Sequence, residues 1–344
     1  MAEEVWMLQT KKADFKQIGA RFRIDPVTAR IIRNRGIEGE AAIDRYLNGT
    51  LDDLYDPMLL KDMERAVSIL CEAVDTGKKI RIVGDYDIDG VCSTYILLQA
   101  FERLGSDVDF EIPDRIKDGY GINESIIEQA HADGVEVILT CDNGISAFHQ
   151  VELAKKYGMT VVITDHHEVP LDGEKEKIPP ADAVIDPKQA DCPYPFPEIC
   201  GAVVAYKLVQ VLYARRGVPQ MEWLDLLEFA AIATVGDVMK LQDENRILVK
   251  YGLKKMAQTK NLGLRRLAEK NNLDLGAITA YHIGFVIGPC LNAGGRLKTA
   301  KEALALLRAQ SEEEAERLAE ELKELNDTRK DMTEQGTEAA KLQV

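Results

Sequence analysis

The residues of this chain best suited to bind a metal ion are two adjacent histidines that follow an aspartate, in the order Asp165-His166-His167. They come directly after the apolar run 159–163, which predicts a buried strand. Open α/β sheets carry their chemistry at the carboxyl ends of such strands. Imidazole and carboxylate ligands together suit a divalent transition metal. The sequence therefore predicts a metal site where this strand ends.

A second candidate is the turn Gly84-Asp85-Tyr86-Asp87-Ile88-Asp89-Gly90, which follows the apolar run 80–83. Carboxylates this close repel one another unless cations compensate their charge. A calcium loop of the EF-hand type is a weak alternative because Ile96 stands where that loop needs a bidentate Glu. A phosphatase with a nucleophilic Asp in a DxD turn, as in haloacid dehalogenases, would leave the histidine pair unexplained. The turn thus favours further metal ligands.

Two other carboxylates fit the same site. Asp142 follows the apolar run 135–139 within Thr140-Cys141-Asp142-Asn143-Gly144, and Asp237 interrupts an apolar helical stretch in which a buried carboxylate needs a partner. The metal ligands that we predict at one sheet edge are Asp85, Asp87, Asp89, Asp142, His166 and Asp237. This oxygen-rich set with one imidazole favours Mn²⁺ or Mg²⁺. It is too large for one ion, and two ions ~3.5–4 Å apart could share one Asp, activate a water and hold the oxygens of an in-line phosphoryl displacement.

Short apolar runs that alternate with helical segments must position these residues. Such alternation predicts parallel βαβ units and a doubly wound, mainly parallel α/β sheet. The predicted strands are 80–83, 108–112, 135–139, 159–163 and 183–185. The predicted helices are 26–34, 63–74, 91–104, 124–132, 146–157, 201–213, 223–234 and 247–257.

The chain divides into four predicted segments. They are a helical amino-terminal cap (1–76), the α/β catalytic domain (77–240), a helical extension (241–298) and a long connector helix (299–344). Within the last segment, Ser311 followed by Glu312, Glu313 and Glu314 is typical of a helix start.

Composition excludes several classes of protein. No apolar run approaches the ~20 residues that cross a bilayer, and the amino terminus lacks the order of a secretory signal, so we expect a cytoplasmic protein without a membrane partner. The 6 cysteines include no CxxC pair, which argues against a disulfide framework or structural zinc. The net charge of −15 argues against a broad basic surface and leaves room for a local basic channel.

Taken in order, the motifs resemble those of the RecJ family of single-stranded-DNA exonucleases, in the DHH phosphoesterase superfamily. The resemblance covers nearly the whole chain, and it rests on Arg35-Gly36-Ile37, Asp56-Pro57, Leu60-Lys61-Asp62-Met63, 84–90, 112–115, 119–121, 141–144, 165–167, 192–196 and Asp237. It implies a two-metal 5′-to-3′ exonuclease that hydrolyses phosphodiester bonds of single-stranded DNA in cytosolic repair and recombination. Single-stranded-DNA-binding protein and a helicase are the implied partners.

The resemblance also implies roles for individual residues. Asp142 would bridge the two ions and His167 would contact the scissile phosphate, while Asp165 would orient the histidines. Arg115, Asn292 and Arg296 would receive DNA phosphates. Tyr120 is either a base-stacking residue or an ordinary loop tyrosine.

Two departures from the family pattern affect these roles. Val83 replaces a histidine ligand found in some DHH proteins, and Cys290 replaces an arginine, which removes one expected phosphate contact. Family members also continue past the long helix into a second nucleic-acid-binding domain, so the resemblance implies that this chain is a catalytic core fragment.

Two alternative functions stay open. A DHH phosphatase or short-oligonucleotide phosphodiesterase would act on dinucleotides with little dependence on strand length. A non-catalytic DHH scaffold would not bind manganese.

Overall fold

The computed structural model describes residues 7, 11–115, 119 and 121–342 of the chain. Its centre is a sheet of five parallel strands in the order β2-β1-β3-β4-β7, beside a small antiparallel hairpin formed by β5 and β6. The strands are β1 Ile80–Val83, β2 Val108–Glu111, β3 Val137–Cys141, β4 Thr160–Thr164, β5 Leu171–Asp172, β6 Lys175–Glu176 and β7 Ala183–Ile185. The predicted doubly wound α/β fold is confirmed.

The strand order places a switch point between β1 and β3. From β1 the chain crosses to β2 on one side and then to β3 on the other side. Crossovers of opposite direction leave a crevice at the carboxyl ends of the two central strands, which is where α/β proteins of this order bind ligands. Here those ends are Val83 and Cys141.

Helices surround the sheet and continue beyond it. They are α1 Phe15–Phe22, α2 Pro26–Asn34, α3 Glu40–Asn48, α4 Met63–Asp75, α5 Ile88–Arg103, α6 Glu124–Ala132, α7 Phe148–Lys156, α8 Gly201–Arg216, α9 Gln220–Leu224, α10 Leu227–Gly236, α11 Asp243–Met256, α12 Leu262–Lys270, α13 Ala280–His282, α14 Gly288–Leu297, α15 Lys301–Arg308 and α16 Glu312–Lys341. A π-helical turn, Ile283–Ile287, joins α13 to α14. None of the helices in the described ranges is long and apolar enough to cross a lipid bilayer.

The prediction of one helix over 223–234 is wrong, because the chain forms α9 and α10 there. The Trp223 ring stacks on Tyr206 of α8, and its Nε1–H donates to the Tyr206 carbonyl oxygen at 3.1 Å. These contacts hold α9 against α8, whereas α10 packs on α5 and α11. The helix must therefore break at Asp225 and Leu226.

A buried ion pair joins four distant segments of the helical part. Lys207 Nζ lies 3.0 Å from Glu244 Oε2, and it donates to the carbonyl oxygen of Tyr55 at 3.1 Å. The Tyr194 hydroxyl donates to the other oxygen of Glu244. The pair thereby connects α8 and α11 to the amino-terminal segment and to the proline-rich loop.

The long helix α16 begins after Ser311, as predicted, and the Ser311 hydroxyl accepts the Glu314 N–H at 3.1 Å. Its first half buries Ala315, Leu318 and Leu322 against α12 and α14. From residue 330 to residue 342 its side chains are exposed.

We expect Glu228→Gln to stabilise the protein at alkaline pH. Burial raises the pKa of Glu228 from 4.5 to about 7, and one of its oxygens accepts the Thr259 hydroxyl at 2.8 Å. Because the folded pKa exceeds the unfolded one, the contribution of Glu228 to wild-type stability falls as the pH rises from 4.5 to about 7 and stays constant above that. Glutamine keeps the acceptor and never ionises, so the gain should be about 2–3 kcal/mol at pH 8 and small at pH 4.5. Urea unfolding at both pH values measures it, and an equal gain at both would contradict it.

Candidate metal centre

The acidic turn after β1, residues 84–90, is held in place by a side-chain cap and by a glycine. Asp87 caps α5, since its Oδ1 accepts the N–H groups of Asp89 at 2.9 Å and Gly90 at 3.1 Å. A Cβ at Gly90 would lie 2.4 Å from the Asp85 carbonyl oxygen, so only glycine permits this tight turn. Asp85 and Asp89 are buried as a result, and Asp87 is partly buried.

The end of β3 brings Asp142 beside that turn. Asn143 Nδ2 donates to the carbonyl oxygens of Val83 at 3.0 Å and Cys141 at 2.9 Å, which ties the ends of β1 and β3 together. Asp142 itself has a φ of 61°, in the left-handed region that non-glycine residues rarely adopt. Such strain often marks a functional site. A Cβ at Gly201, the first residue of α8, would lie 2.7 Å from the Asp142 Cβ, so α8 can approach this closely only with glycine there.

His166 lies at the centre of the carboxylates. Its Nε2 is 3.1 Å from Asp142 Oδ1, 3.4 Å from Asp89 Oδ2 and 3.8 Å from Asp237 Oδ2. Within the described part of the chain, three sets of residues have ligand atoms close enough to share an ion, and they are Asp85–Asp87–Asp142, Asp89–His166–Asp237 and Asp142–His166–His167. All six predicted ligands therefore gather at one sheet edge, and Asp142 belongs to two of the sets.

The electrostatics of the cluster suit bound cations. Burial, together with the charge of neighbouring aspartates, raises the pKa of Asp85 and of Asp237 to about 7. The same causes raise the pKa values of Asp87 and Asp142. Burial lowers the pKa of His166, which favours the neutral imidazole that a metal needs. Asp85 Oδ1 is buried and accepts no hydrogen bond from any residue in the described ranges. The donor set thus fits divalent cations with oxygen and imidazole ligands.

Asp89 has a further role in the backbone. Its two carboxylate oxygens accept the N–H groups of Gly201 at 2.7 Å and Ala202 at 2.8 Å, at the amino terminus of α8. The positive end of the helix dipole therefore faces the carboxylate cluster.

Asp165 holds the second histidine. Its Oδ1 accepts the His166 N–H at 2.8 Å and lies 2.7 Å from His167 Nδ1, while its Oδ2 accepts the Ile145 N–H at 2.9 Å. Burial favours a higher pKa for Asp165, but the hydrogen bond and charge of His167 outweigh it and lower the pKa. Burial likewise opposes protonation of His167, yet the partnership with Asp165 raises its pKa to about 9. His167 is therefore a cation at neutral pH in the metal-free protein.

We expect Asp165→Asn to lower the pKa of His167 from about 9 toward 6.5, because the hydrogen bond and charge of Asp165 are lost while burial still opposes protonation and the charges of Asp89 and Asp237 remain. In the wild type, the stability that His167 contributes is complete below pH 6.5 and is lost as the pH rises through about 9. Imidazole NMR of the metal-free protein between pH 5 and 10 would follow the group directly. A His167 pKa that stays near 9 in the variant would mean that a residue other than Asp165 stabilises the protonated imidazole. Asp172→Asn, on the exposed hairpin, is the control and should leave the His167 pKa unchanged.

The predicted phosphate-binding residues line a cavity of about 270 Å³ that also reaches Asp85 and Asp87. Its wall includes Arg115, Asn292 and Arg296. The Arg115 guanidinium carbon lies 5.2 Å from the centre of the Tyr86 ring, which lines the same cavity. Cys290 is buried, with its Sγ 3.5 Å from Asn326 Nδ2 and 3.8 Å from Asn271 Oδ1. Tyr120 lies outside the described residues.

The sequence analysis did not identify Asp186, a buried carboxylate near the candidate metal centre. Asp186 follows β7, is fully buried, and has a pKa raised to about 7 by burial and by the charge of Asp165. The signal was present, because Asp186 follows an apolar strand in the same way as Asp142 and Asp165 follow theirs.

A parallel sheet with a carboxylate and histidine cluster at its switch point defines the class of protein. The family model described as "DHH family, N-terminal domain" matches residues 79–234. The matched residues contain the five-stranded sheet and five of the six candidate ligands, and Asp237 lies just beyond them.

Within that class, the chain belongs to the RecJ family. It is 37% identical over 336 residues to the single-stranded-DNA-specific exonuclease RecJ of Bacillus subtilis (strain 168), covering 97% of this chain and 41% of that protein. It is 38% identical over 324 residues to RecJ of Haemophilus influenzae, and that match covers 92% of this chain and 55% of that protein. The chain thus spans about half the length of these curated relatives.

Two solved structures of RecJ proteins resemble this fold. A crystal structure of exonuclease RecJ bound to manganese is 35% identical and superposes with a TM-score of 0.72 over 80% of this chain and 68% of that one. RecJ of Thermus thermophilus in complex with Mn²⁺ gives a TM-score of 0.77 at 32% identity over 93% of this chain and 44% of that one.

Proposed function

We propose that this chain is the catalytic core of a two-metal exonuclease that removes nucleotides from the 5′ end of single-stranded DNA. The observation that carries the proposal is the meeting of five carboxylates and His166 at the β1–β3 switch point, beside a cavity walled by Arg115 and Arg296. Carboxylates hold divalent cations and guanidinium groups hold phosphates, so the site pairs the two components of phosphodiester hydrolysis.

The ligands we propose are Asp85, Asp87, Asp89, Asp142, His166 and Asp237, for two Mn²⁺ or Mg²⁺ ions. When bound, such ions lower the pKa of water and stabilise charge on the phosphate. The protonated His167 can donate a hydrogen bond to a phosphate oxygen, and Asp165 keeps its ring oriented. Arg115, Asn292 and Arg296 would hold the phosphate against the cluster. The manganese and magnesium complexes of RecJ support this choice of metal.

The names of the relatives support the substrate, whereas the 5′-to-3′ polarity is what the resemblance of the motifs implies. The relatives are single-stranded-DNA-specific exonucleases, which supports a single strand as substrate. We further propose a role in cytoplasmic DNA repair and recombination, with single-stranded-DNA-binding protein and a helicase as partners.

The test is manganese-dependent release of nucleotides from a single strand labelled at its 5′ or its 3′ end. We expect early release of the 5′ label from the single strand and no cleavage of a blunt duplex. The Asp142→Ala variant should cleave neither substrate. Early release of the 3′ label would overturn the polarity. Cleavage of dinucleotides at the same rate as longer strands would favour a short-oligonucleotide phosphodiesterase. A folded protein that binds no manganese would favour a scaffold.

A further inference from the structure

A cavity of about 380 Å³ lies among the helices, away from the metal centre. Residues of α5, α8, α10, α11 and α15 line it, and it shares no lining residue with the cavity beside Asp85 and Asp87. At 1.5 Å per helical residue, Tyr95 lies about 9 Å from Asp89 along α5. The volume is within the range of about 300–1,000 Å³ that is usual for small-molecule sites.

The wall of this cavity contains a buried carboxylate with one unpaired oxygen. Glu228 is only 4% exposed, and its Oε1 accepts the Thr259 hydroxyl at 2.8 Å. Its Oε2 is also buried, and it accepts no hydrogen bond from any residue in the described ranges. A buried polar atom without a partner costs free energy, which is why we expect Glu228→Gln to stabilise the protein. Side chains that lower stability in this way are typical of functional sites.

Tyr95 adds a hydrogen-bond donor to the same wall. Its hydroxyl accepts from Asn261 Nδ2 at 3.2 Å, and no residue in the described part of the chain accepts its proton. Burial, together with the charge of Glu228, raises the pKa of Tyr95 to about 12, so the hydroxyl keeps this proton at neutral pH. The Tyr95 ring also contacts the Phe229 ring, with centroids 4.3 Å apart, and both rings line the cavity.

The solvent side of the cavity carries a cation with only a weak partner. The Lys260 side chain is 87% exposed, and its ion pair with Asp225 Oδ2 is long, at 3.7 Å, because Asp225 also pairs with Lys255. Arg103 lines the cavity too, but it already donates to both oxygens of Glu222. The ammonium group of Lys260 is therefore the group best placed to bind an anion.

These groups fit a planar ring that carries a donor beside an acceptor and is joined to an anion. Glu228 would accept from the ring and Tyr95 would donate to it. Cytosine and adenine each present an amino group next to a ring nitrogen, whereas thymine and guanine have a carbonyl oxygen in place of that amino group. A phosphate on the same molecule would reach Lys260. Phosphate alone would be repelled by the carboxylate, and a polyamine would be repelled by the cations.

We propose that this cavity is a binding site for a nucleoside 5′-monophosphate of cytosine or adenine, with the base at Glu228 and Tyr95 and the phosphate at Lys260. That such a nucleotide is also a product of this enzyme rests on the proposed function. The binding itself does not, so it can be measured without catalysis.

The test is calorimetric titration of the full chain, without metal at pH 8, with deoxycytidine monophosphate (dCMP) or deoxythymidine monophosphate (dTMP). We expect dCMP to bind at one site, and dTMP to bind at least about 10-fold more weakly because its carbonyl oxygen would face the Glu228 carboxylate. Glu228→Gln should weaken dCMP binding at least about 10-fold, and Tyr95→Phe about 3- to 10-fold. Asp172→Asn, on the exposed hairpin, is the control and should leave the affinity unchanged.

A second variant separates this cavity from the metal centre. Arg296→Ala, in the wall of the cavity beside the candidate ligands, should leave dCMP binding unchanged. If Arg296→Ala abolishes binding while Glu228→Gln retains it, the nucleotide binds at the metal centre and the proposal is wrong. Equal affinities for dCMP and dTMP, or no binding of either in the millimolar range, would also overturn it. A chain that binds dCMP as expected but cleaves no DNA strand would refute the proposed function and leave this site standing.

Discussion

Asp142→Asn should abolish manganese-dependent hydrolysis and at the same time stabilise the metal-free protein. Asp142 belongs to two of the three candidate ligand sets, so its loss should lower kcat/KM by at least about 10³-fold. Without metal, burial and the charges of Asp89 and Asp87 raise the pKa of Asp142, which means that its ionised form is held at a cost. Asparagine removes that charge and also tolerates the φ of 61° better than most residues. A gain of about 1–2 kcal/mol is expected.

Two measurements on one sample test this prediction. Nucleotide release reports catalysis, and thermal unfolding with and without manganese reports stability and metal binding. The variant should melt higher than the wild type without metal and should gain less from added manganese. Asp172→Asn, exposed on the β5–β6 hairpin, should change neither. A variant that is less stable without metal would mean that Asp142 makes structural contacts worth more than the repulsion it suffers.

Glu244→Gln should destabilise the fold strongly. It removes the charge that compensates Lys207, and both side chains are almost wholly buried. An uncompensated buried charge costs about 3–5 kcal/mol. Burial already lowers the pKa of Lys207, and loss of the Glu244 charge would lower it further. At about 2 °C for each kcal/mol in a chain of this size, the Tm should fall by about 6–10 °C.

A matched variant separates charge from packing. In Lys207→Met/Glu244→Gln no charge is left buried, the methionine fills the volume of the lysine stem, and the glutamine still accepts from Tyr194. Most of the lost stability should return. If the double variant is as unstable as Glu244→Gln, the links of Lys207 to Tyr55 matter more than the charge balance.

The sequence predicted the sheet well because buried parallel strands are continuous apolar runs between polar turns. The ranges of β1 and β7 are those predicted. β3 instead begins at Val137, two residues later than predicted, because the Val135 N–H donates to Ala130 and closes the end of α6. Apolar character alone could not tell that turn residue from a strand residue.

The candidate site was predictable in its members but not in its geometry. Five of the six candidate ligands were predicted from carboxylates and a histidine that follow strands, and Asp237 from an apolar helical stretch. The positive φ of Asp142 and the close approach of Gly201 instead depend on contacts between segments far apart in sequence. The residue roles in catalysis stay predictions.

The capping of α8 by Asp89 suggests the order in which the chain folds and binds metal. Both oxygens of that carboxylate already hold backbone N–H groups, and the helix terminus supplies partial positive charge where cations would otherwise be needed. The polypeptide can therefore complete its tertiary structure first and acquire metal afterwards, unlike small zinc domains that fold only around their ion. Removal of bound ions with a chelator should then abolish the proposed nuclease activity reversibly, and adding the ions back should restore it without a refolding step.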